Sequence, residues 1–160
     1  MSKAPAKKND AVDLLDADHI AVKKLFTQFK KLSETEAPGE DRKAIADKIC
    51  MQLTVHAEIE EQIFYPAARE AINDDPLLNE AEVEHASAKD LIAQISAMDP
   101  DEALFDAKVI VLGEYIDHHV EEERNEMFPK ARNSGMDLKG MVDELITLKE
   151  ELLANYNATA

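Results

Sequence analysis

The sequence predicts an all-α protein, an up-down-up-down four-helix bundle with an additional short C-terminal helix. Three observations predict it. Chain breakers fall at few points: Ala37-Pro38-Gly39, Asn73-Asp74-Asp75-Pro76, Asp99-Pro100 and Asn133-Ser134-Gly135. Ala, Leu, Glu, Lys and Asp dominate the composition, which favours helix over sheet. Between the breaks, apolar residues recur at steps of three and four, the seam of a helix packed among other helices.

The elements follow in order. A first helix over 10–34 carries the seam Val12, Leu15, His19, Val22, Phe26, Phe29. A second over 40–72 carries Ile49, Leu53, His56, Glu60, Ile63, Ala67. The third, over 76–98, reads Leu78, Ala81, His85, Ala88, Ile92, Ile95, and the fourth, over 101–132, reads Phe105, Val109, Leu112, Ile116, His119, Glu123. A shorter fifth is expected near 137–156. Pro66 and Pro129 fall inside the second and fourth, and each should kink its helix or end its main run. Short connections make consecutive helices antiparallel neighbours. With 160 residues the prior is one domain. Its expected division is a disordered polar tail over 1–9 containing Lys3, Lys7 and Lys8, the bundle over 10–133, and the C-terminal helix packed on it over 134–160.

Charge and composition exclude several function classes. A net charge of −16 repels phosphate backbones and anionic headgroups, so neither nucleic acid nor membrane is expected as a partner. No apolar run approaches the twenty residues of a spanning helix, and no leader pattern opens the chain. Cys50 is the one cysteine, which excludes an internal disulfide, fits a reducing cytoplasm and reads as a small buried apolar residue. No nucleophilic triad, phosphate-binding loop or dinucleotide fingerprint appears, and no catalytic residue is assigned.

One pattern carries chemistry. "HAEIEEQIFYP" (56–66) and "HVEEERNEMFP" (119–129) share a His, a Glu four residues on, and an aromatic–Pro pair ending ten residues on. A seam His precedes each copy, His19 by 37 residues and His85 by 34, so a helical hairpin is used twice about an approximate two-fold axis. His19, His56, Glu60, His85, His119 and Glu123 therefore all point to one layer of the core. A carboxylate in a dry core costs several kcal/mol unless compensated. Two such residues and four imidazoles have a shared cause if they bind cations. Residues four apart stack on one helix face, so each His–Glu pair can reach a metal pair between helices, the Glu bridging and the His terminal. A nitrogen and oxygen set without thiolate suits Fe, Mn or Zn, and carboxylate-bridged redox metals point to di-iron.

These residues resemble the hemerythrin-like (HHE cation-binding) family: His19 in "LLDADHIAVKKLF", His56 and Glu60 in "HAEIEEQIFYP", His85 in "EVEHASAKDLI", His119 and Glu123 in "HVEEERNEMFP". The resemblance covers about 10–132. It implies two Fe ions, oxo- or hydroxo-bridged, in a non-haem centre, with Mn or Zn less favoured. Oxygen carriers of the family add a second His one turn after the third-helix His, where this chain has Lys89, and end on an Asp five after its His, where this chain has Glu123 four after. Both departures resemble the bacterial members. They favour reaction with oxygen, nitric oxide or peroxide over reversible oxygen storage, and a role in oxidative-stress physiology with a diffusible electron donor. The alternatives are iron storage or delivery, and a ferritin-like oxidase using Glu60, Glu123, Glu82-x-x-His85 and Asp16-x-x-His19.

Among neighbours, His118 lies about 100° round the helix from His119 and reads as a surface residue. Tyr115 reads as core-edge packing. Lys23 and Lys89, each one turn after a seam His, read as side chains reaching to the surface. Glu58, Glu61, Glu121 and Glu122 read as solvated, with the capacity to orient an imidazole from outside.

Overall fold

The computed structural model describes residues 9–158; the expected tail, with Lys3, Lys7 and Lys8, lies outside them except for Asn9. The described chain is helical throughout. Helix α1 spans Ala11–Glu34, α2 Gly39–Ile59, α3 Tyr65–Ile72, α4 Asp75–Ala97, α5 Phe105–Glu122, α6 Phe128–Asn133 and α7 Val142–Ala158. Single π-helical turns, Glu60–Phe64 and Glu123–Met127, join α2 to α3 and α5 to α6. These two composite rods, with α1 and α4, form the four-helix bundle, and α7 packs on α1 and α2.

Two helix starts differ from the expectation. The fourth rod begins at Phe105 rather than 101, because Asp99 and Glu102 side chains accept backbone N–H groups of residues 101 and 99 and hold a turn there. The fifth helix begins at Val142 rather than 137. Gly135, at φ 83°, turns the chain after α6, and the Asp137 carboxylate then accepts the Gly140 N–H.

The π turns are the structural consequence of the two prolines. Pro66 and Pro129 are the second residues of α3 and α6. Inside a continuous α-helix their rings would meet the carbonyl four residues back. Widening the preceding turn relieves this: the Tyr65 N–H reaches back five residues to the Glu60 carbonyl, and the Phe128 N–H to that of Glu123. The extra residue rotates everything downstream by one position. The second rod therefore buries Phe64, Tyr65 and Ala68, where the uninterrupted seam predicts Ile63 and Ala67, which are half-buried. The fourth buries Met127, Phe128 and Ala131 by the same shift.

Two apolar clusters result. One holds Leu15, Ile59, Phe64, Leu78, Met127 and Leu145; the other holds Val22, Phe29, Ile49, Ile95, Phe105 and Leu112. Along every rod, the seam His falls between the two. The core is thus divided by one polar layer. At the end of the bundle carrying the α1 N-terminus, Asp10 caps α1 by accepting the Asp13 N–H at 2.9 Å, and Arg132 of α6 clamps both carboxylates at 3.0 and 2.9 Å. At the opposite end, Arg42 donates to the carbonyls of Ala37 and Pro100 and to Asp106, tying both loops to α5. Between them, α1 and α5 approach closely at Gly113, where a Cβ would stand 3.0 Å from the Phe26 ring.

Candidate metal centre

All six predicted side chains lie in the polar layer. Glu60 is fully buried, Glu123 is 1 % exposed, and His19, His56, His85 and His119 are 6–7 % exposed. His56 and His119 occupy the last turns of α2 and α5, and their Glu partners open the two π turns. The prolines thus place the widest backbone at the residues that carry the carboxylates.

Two adjacent groups of ligand atoms form. His19, His56, Glu60 and Glu123 make the first, with atoms within 4.8 Å of one another; Glu60, His85 and His119 make the second. Glu60 belongs to both: its Oε1 is 3.2 Å from His56 Nε2 and 3.2 Å from His85 Nε2. Glu123 Oε1 likewise lies 3.0 Å from His19 Nε2 and 3.4 Å from His119 Nε2. Despite these distances, His19 Nε2, His56 Nε2, Glu60 Oε2 and Glu123 Oε1 have no hydrogen-bond partner. Buried polar atoms without partners cost about 1–3 kcal/mol each. Four of them converging on one layer fit a bound cation, which needs lone pairs that nothing else has claimed.

The imidazoles are oriented for that task. Each Nδ1 faces a carboxylate: His19 to Asp16 at 3.2 Å, His56 to Asp18 at 2.9 Å, His85 to Glu61 at 2.8 Å, His119 to Glu84 at 2.7 Å. A carboxylate only accepts, so Nδ1 carries the hydrogen and the Nε2 lone pair is turned inward. The buried charges set the proton count: without a metal the carboxylates favour protonated His56 and His119, and a bound cation would take the place of their Nε2 protons. Burial pushes the Asp18 carboxyl up, but His56 and Lys149 outweigh it and hold it below the usual carboxylate range. Burial opposes charge on His119, yet Glu123, Glu84 and Glu60 raise it to about 9. His56 is likewise lifted well above an ordinary imidazole, against burial, by Glu60 and Asp18.

The two π turns also place an aromatic residue on each side. Phe128 stacks on His19, with ring centroids 5.8 Å apart and planes 9° from parallel. Its counterpart Tyr65 packs on His85 at 5.1 Å. The Tyr65 hydroxyl donates to Glu123 Oε2 at 2.8 Å and lies 3.1 and 3.2 Å from His85 Nε2 and His119 Nε2. Burial, then Glu123 and Glu60, raise the phenol well above its usual range, so it keeps its proton. Neither Tyr65 nor the orienting roles of Asp16, Asp18 and Glu84 appear in the sequence reading. The repeated aromatic before Pro was the available signal for Tyr65; only the π-turn rotation aims it inward.

Other predicted neighbours divide. Glu61 does orient an imidazole, and Lys89 pairs with it at 2.6 Å rather than simply reaching solvent. Lys23 pairs with Asp117 at the surface. His118 is 69 % exposed at its side chain, between Glu84 and Glu122. Glu82 points outward, 76 % exposed and facing Arg69, and Asp16 meets the outer nitrogen of His19, so the ferritin-like ligand set does not assemble. Cys50 is 1 % exposed, and burial pushes its thiol up to about 11. A cavity of about 460 Å³ reaches the four histidines, walled by Val22, Leu53, Ala88, Ile92 and Ile116, with Tyr115 and Val83 at its mouth.

A four-helix bundle whose core is divided by buried histidines and carboxylates, their lone pairs turned to common points, is a metal-binding protein. Comparison with known proteins gives the family. Residues 10–131 match the model of the hemerythrin HHE cation binding domain, and the chain belongs to that family. It is 30 % identical over 122 residues to a DNA nickase of Nostoc sp. (strain PCC 7120), covering 76 % of this chain and 33 % of that protein, so the chain spans about a third of that relative's length. Its fold is similar to the crystal structure of a hemerythrin HHE cation binding domain-containing protein from Mycobacterium kansasii, with a TM-score of 0.75, 22 % identity, and 92 % and 89 % of the two chains covered. Among the described residues no helix is long and apolar enough to cross a membrane.

Proposed function

We propose that the polar layer holds two iron ions and that the protein reacts there with oxygen, nitric oxide or peroxide in the cytoplasm. The observation that carries this reading is the sharing of Glu60 between two adjacent ligand groups, with His19 Nε2, His56 Nε2, Glu60 Oε2 and Glu123 Oε1 buried there without a hydrogen-bond partner. His19, His56, His85, His119, Glu60 and Glu123 would hold the ions, with Glu60 common to both groups of ligand atoms. Such a pair supplies reversible electron transfer to a small oxygen- or nitrogen-containing molecule.

The chain's own residues do the rest. Asp16, Asp18, Glu61 and Glu84 fix the imidazole tautomers. The cavity, walled mainly by apolar side chains, gives a small neutral molecule a way to the histidines. Tyr65 holds a proton at Oη beside His85 and His119, within reach of whatever binds on that side. The phenol is present on one side only, which favours chemistry over simple storage. A net charge of −16 repels a polynucleotide, so the DNA activity in the name of the longer relative is not carried over.

The test is metal analysis followed by stopped-flow spectroscopy of the reduced, iron-loaded protein with oxygen, peroxide and nitric oxide in turn. Two irons per chain and rapid reaction with at least one reagent support the reading. Absence of bound iron, or an iron form inert to all three, refutes it.

A further inference from the structure

Each carboxylate that orients an imidazole meets a further nitrogen-bearing side chain. Asp16 meets Arg124 Nε at 2.6 Å, Glu61 meets Lys89 Nζ at 2.6 Å, and Glu84 meets the exposed His118 at 3.4 Å. Those three partners come from the bundle, inside the segment matched by the family. The fourth does not. Asp18 meets Lys149 Nζ at 2.5 Å, and Lys149 belongs to α7, beyond that segment.

Asp18 is also the most buried of the four carboxylates, 6 % exposed. Its two oxygens are divided: Oδ2 accepts the His56 Nδ1–H at 2.9 Å and Oδ1 accepts from Lys149. The helix that carries Lys149 is held as well, since its Leu145, Leu148 and Leu152 pack into the apolar cluster beside the polar layer. The Lys149 side chain is 30 % exposed, so a lysine there had free access to water and points instead at a buried carboxylate.

We infer that Lys149 is a positioning residue of the metal centre, which from α7 fixes Asp18 and through it sets how strongly His56 donates to its ion. The inference rests on the di-iron reading. A carboxylate that shares its charge with an ammonium pulls less on the Nδ1 proton of its imidazole. Without the ammonium, Asp18 pulls harder, His56 becomes the stronger donor, and one nearby positive charge is gone. Both changes favour the more highly charged, oxidised iron, so the midpoint potential falls. A lysine that merely pinned α7 to the bundle would change stability and leave the potential alone.

The experiment is a spectroelectrochemical titration of full-length, iron-loaded wild type, K149M, K149Q, K149R, D18N and the double variant D18N/K149M. Iron content is measured first, and circular dichroism of each metal-free form checks the fold. K149M and K149Q should move the potential negative, by up to roughly tenfold in the oxidised-to-reduced ratio, about 59 mV for a one-electron step. K149R should keep the wild-type value and D18N should move it positive. In the D18N background K149M should shift it clearly less, because the part that acts through Asp18 is gone and only the loss of a nearby positive charge remains. An unmoved potential in K149M and K149Q overturns the inference, as does an equal shift in both backgrounds. Wild type with fewer than two irons per chain overturns the di-iron reading and this inference with it, whereas two irons and an unmoved potential overturn the role of Lys149 alone.

Discussion

On one side of the centre, His19 and His56 sit with Phe128, and their outer carboxylates are backed by Arg124 and Lys149. On the other, His85 and His119 sit with Tyr65, and theirs are backed by Lys89 and the exposed His118. The two sides come from one repeated pattern, with matching π turns and matching prolines. They differ in one hydroxyl at the centre and, outside it, in a histidine standing where the other side has an arginine or a lysine. The lesson is that the scaffold repeats while the chemistry does not. Backbone geometry is set by a proline that both copies need; what faces the ligand atoms is set by single side chains that each copy can change alone.

Several experiments break or sharpen this comparison. The largest effect abolishes both sides together. Chelation should lower the melting temperature by about 10 °C or more: a ligand at 1,000 times its Kd contributes about 4 kcal/mol, and a chain of this size moves roughly 2–4 °C per kcal/mol. Calorimetry with and without metal measures it, and an unchanged transition would mean that the layer does not use a cation. Next come the ligands. Glu60→Ala should unload both sides because both groups use it, whereas His56→Ala should empty its own side and leave His85 and His119 loaded. Metal analysis after desalting distinguishes them; full retention by Glu60→Ala would remove the shared ligand from the account.

A subtler variant makes the sides alike. Tyr65→Phe leaves the six ligands in place, so metal content should hold while the reaction with peroxide or nitric oxide slows about 10–100-fold, the range of residues that touch a centre without being its main ligands. Equal rates in stopped flow would show that the phenol is only packing. The smallest effect tests the frame. Asp10→Ala removes the α1 cap and one half of the Arg132 clamp, far from the hydroxyl asymmetry, and should cost about 1 kcal/mol without changing metal content. A loss of metal in that variant would tie the cap to the site.

Much of this was legible in residue spacing. Helix existence, the two-fold repeat and the convergence of the His and Glu residues follow from a 3.6-residue period, because that period decides which side chains share a face. The reading failed downstream of Glu60, at Ile63 and Ala67, because a regular period cannot represent the extra residue of a π turn. It also missed a helix start at 105, where local side-chain bonds hold a turn in place of helix.

The sequence alone determined the rods, their order and the buried ionisable layer, since periodicity and the cost of isolated buried charge are local or compositional facts. Only the tertiary structure decided which carboxylate grips which imidazole, that Tyr65 enters the centre, and that Lys149 reaches Asp18 across 131 positions of chain. Apart from Asp16 on His19, which lies within α1, those contacts join different elements, and their distances depend on how the rods cross and rotate, which no single rod encodes.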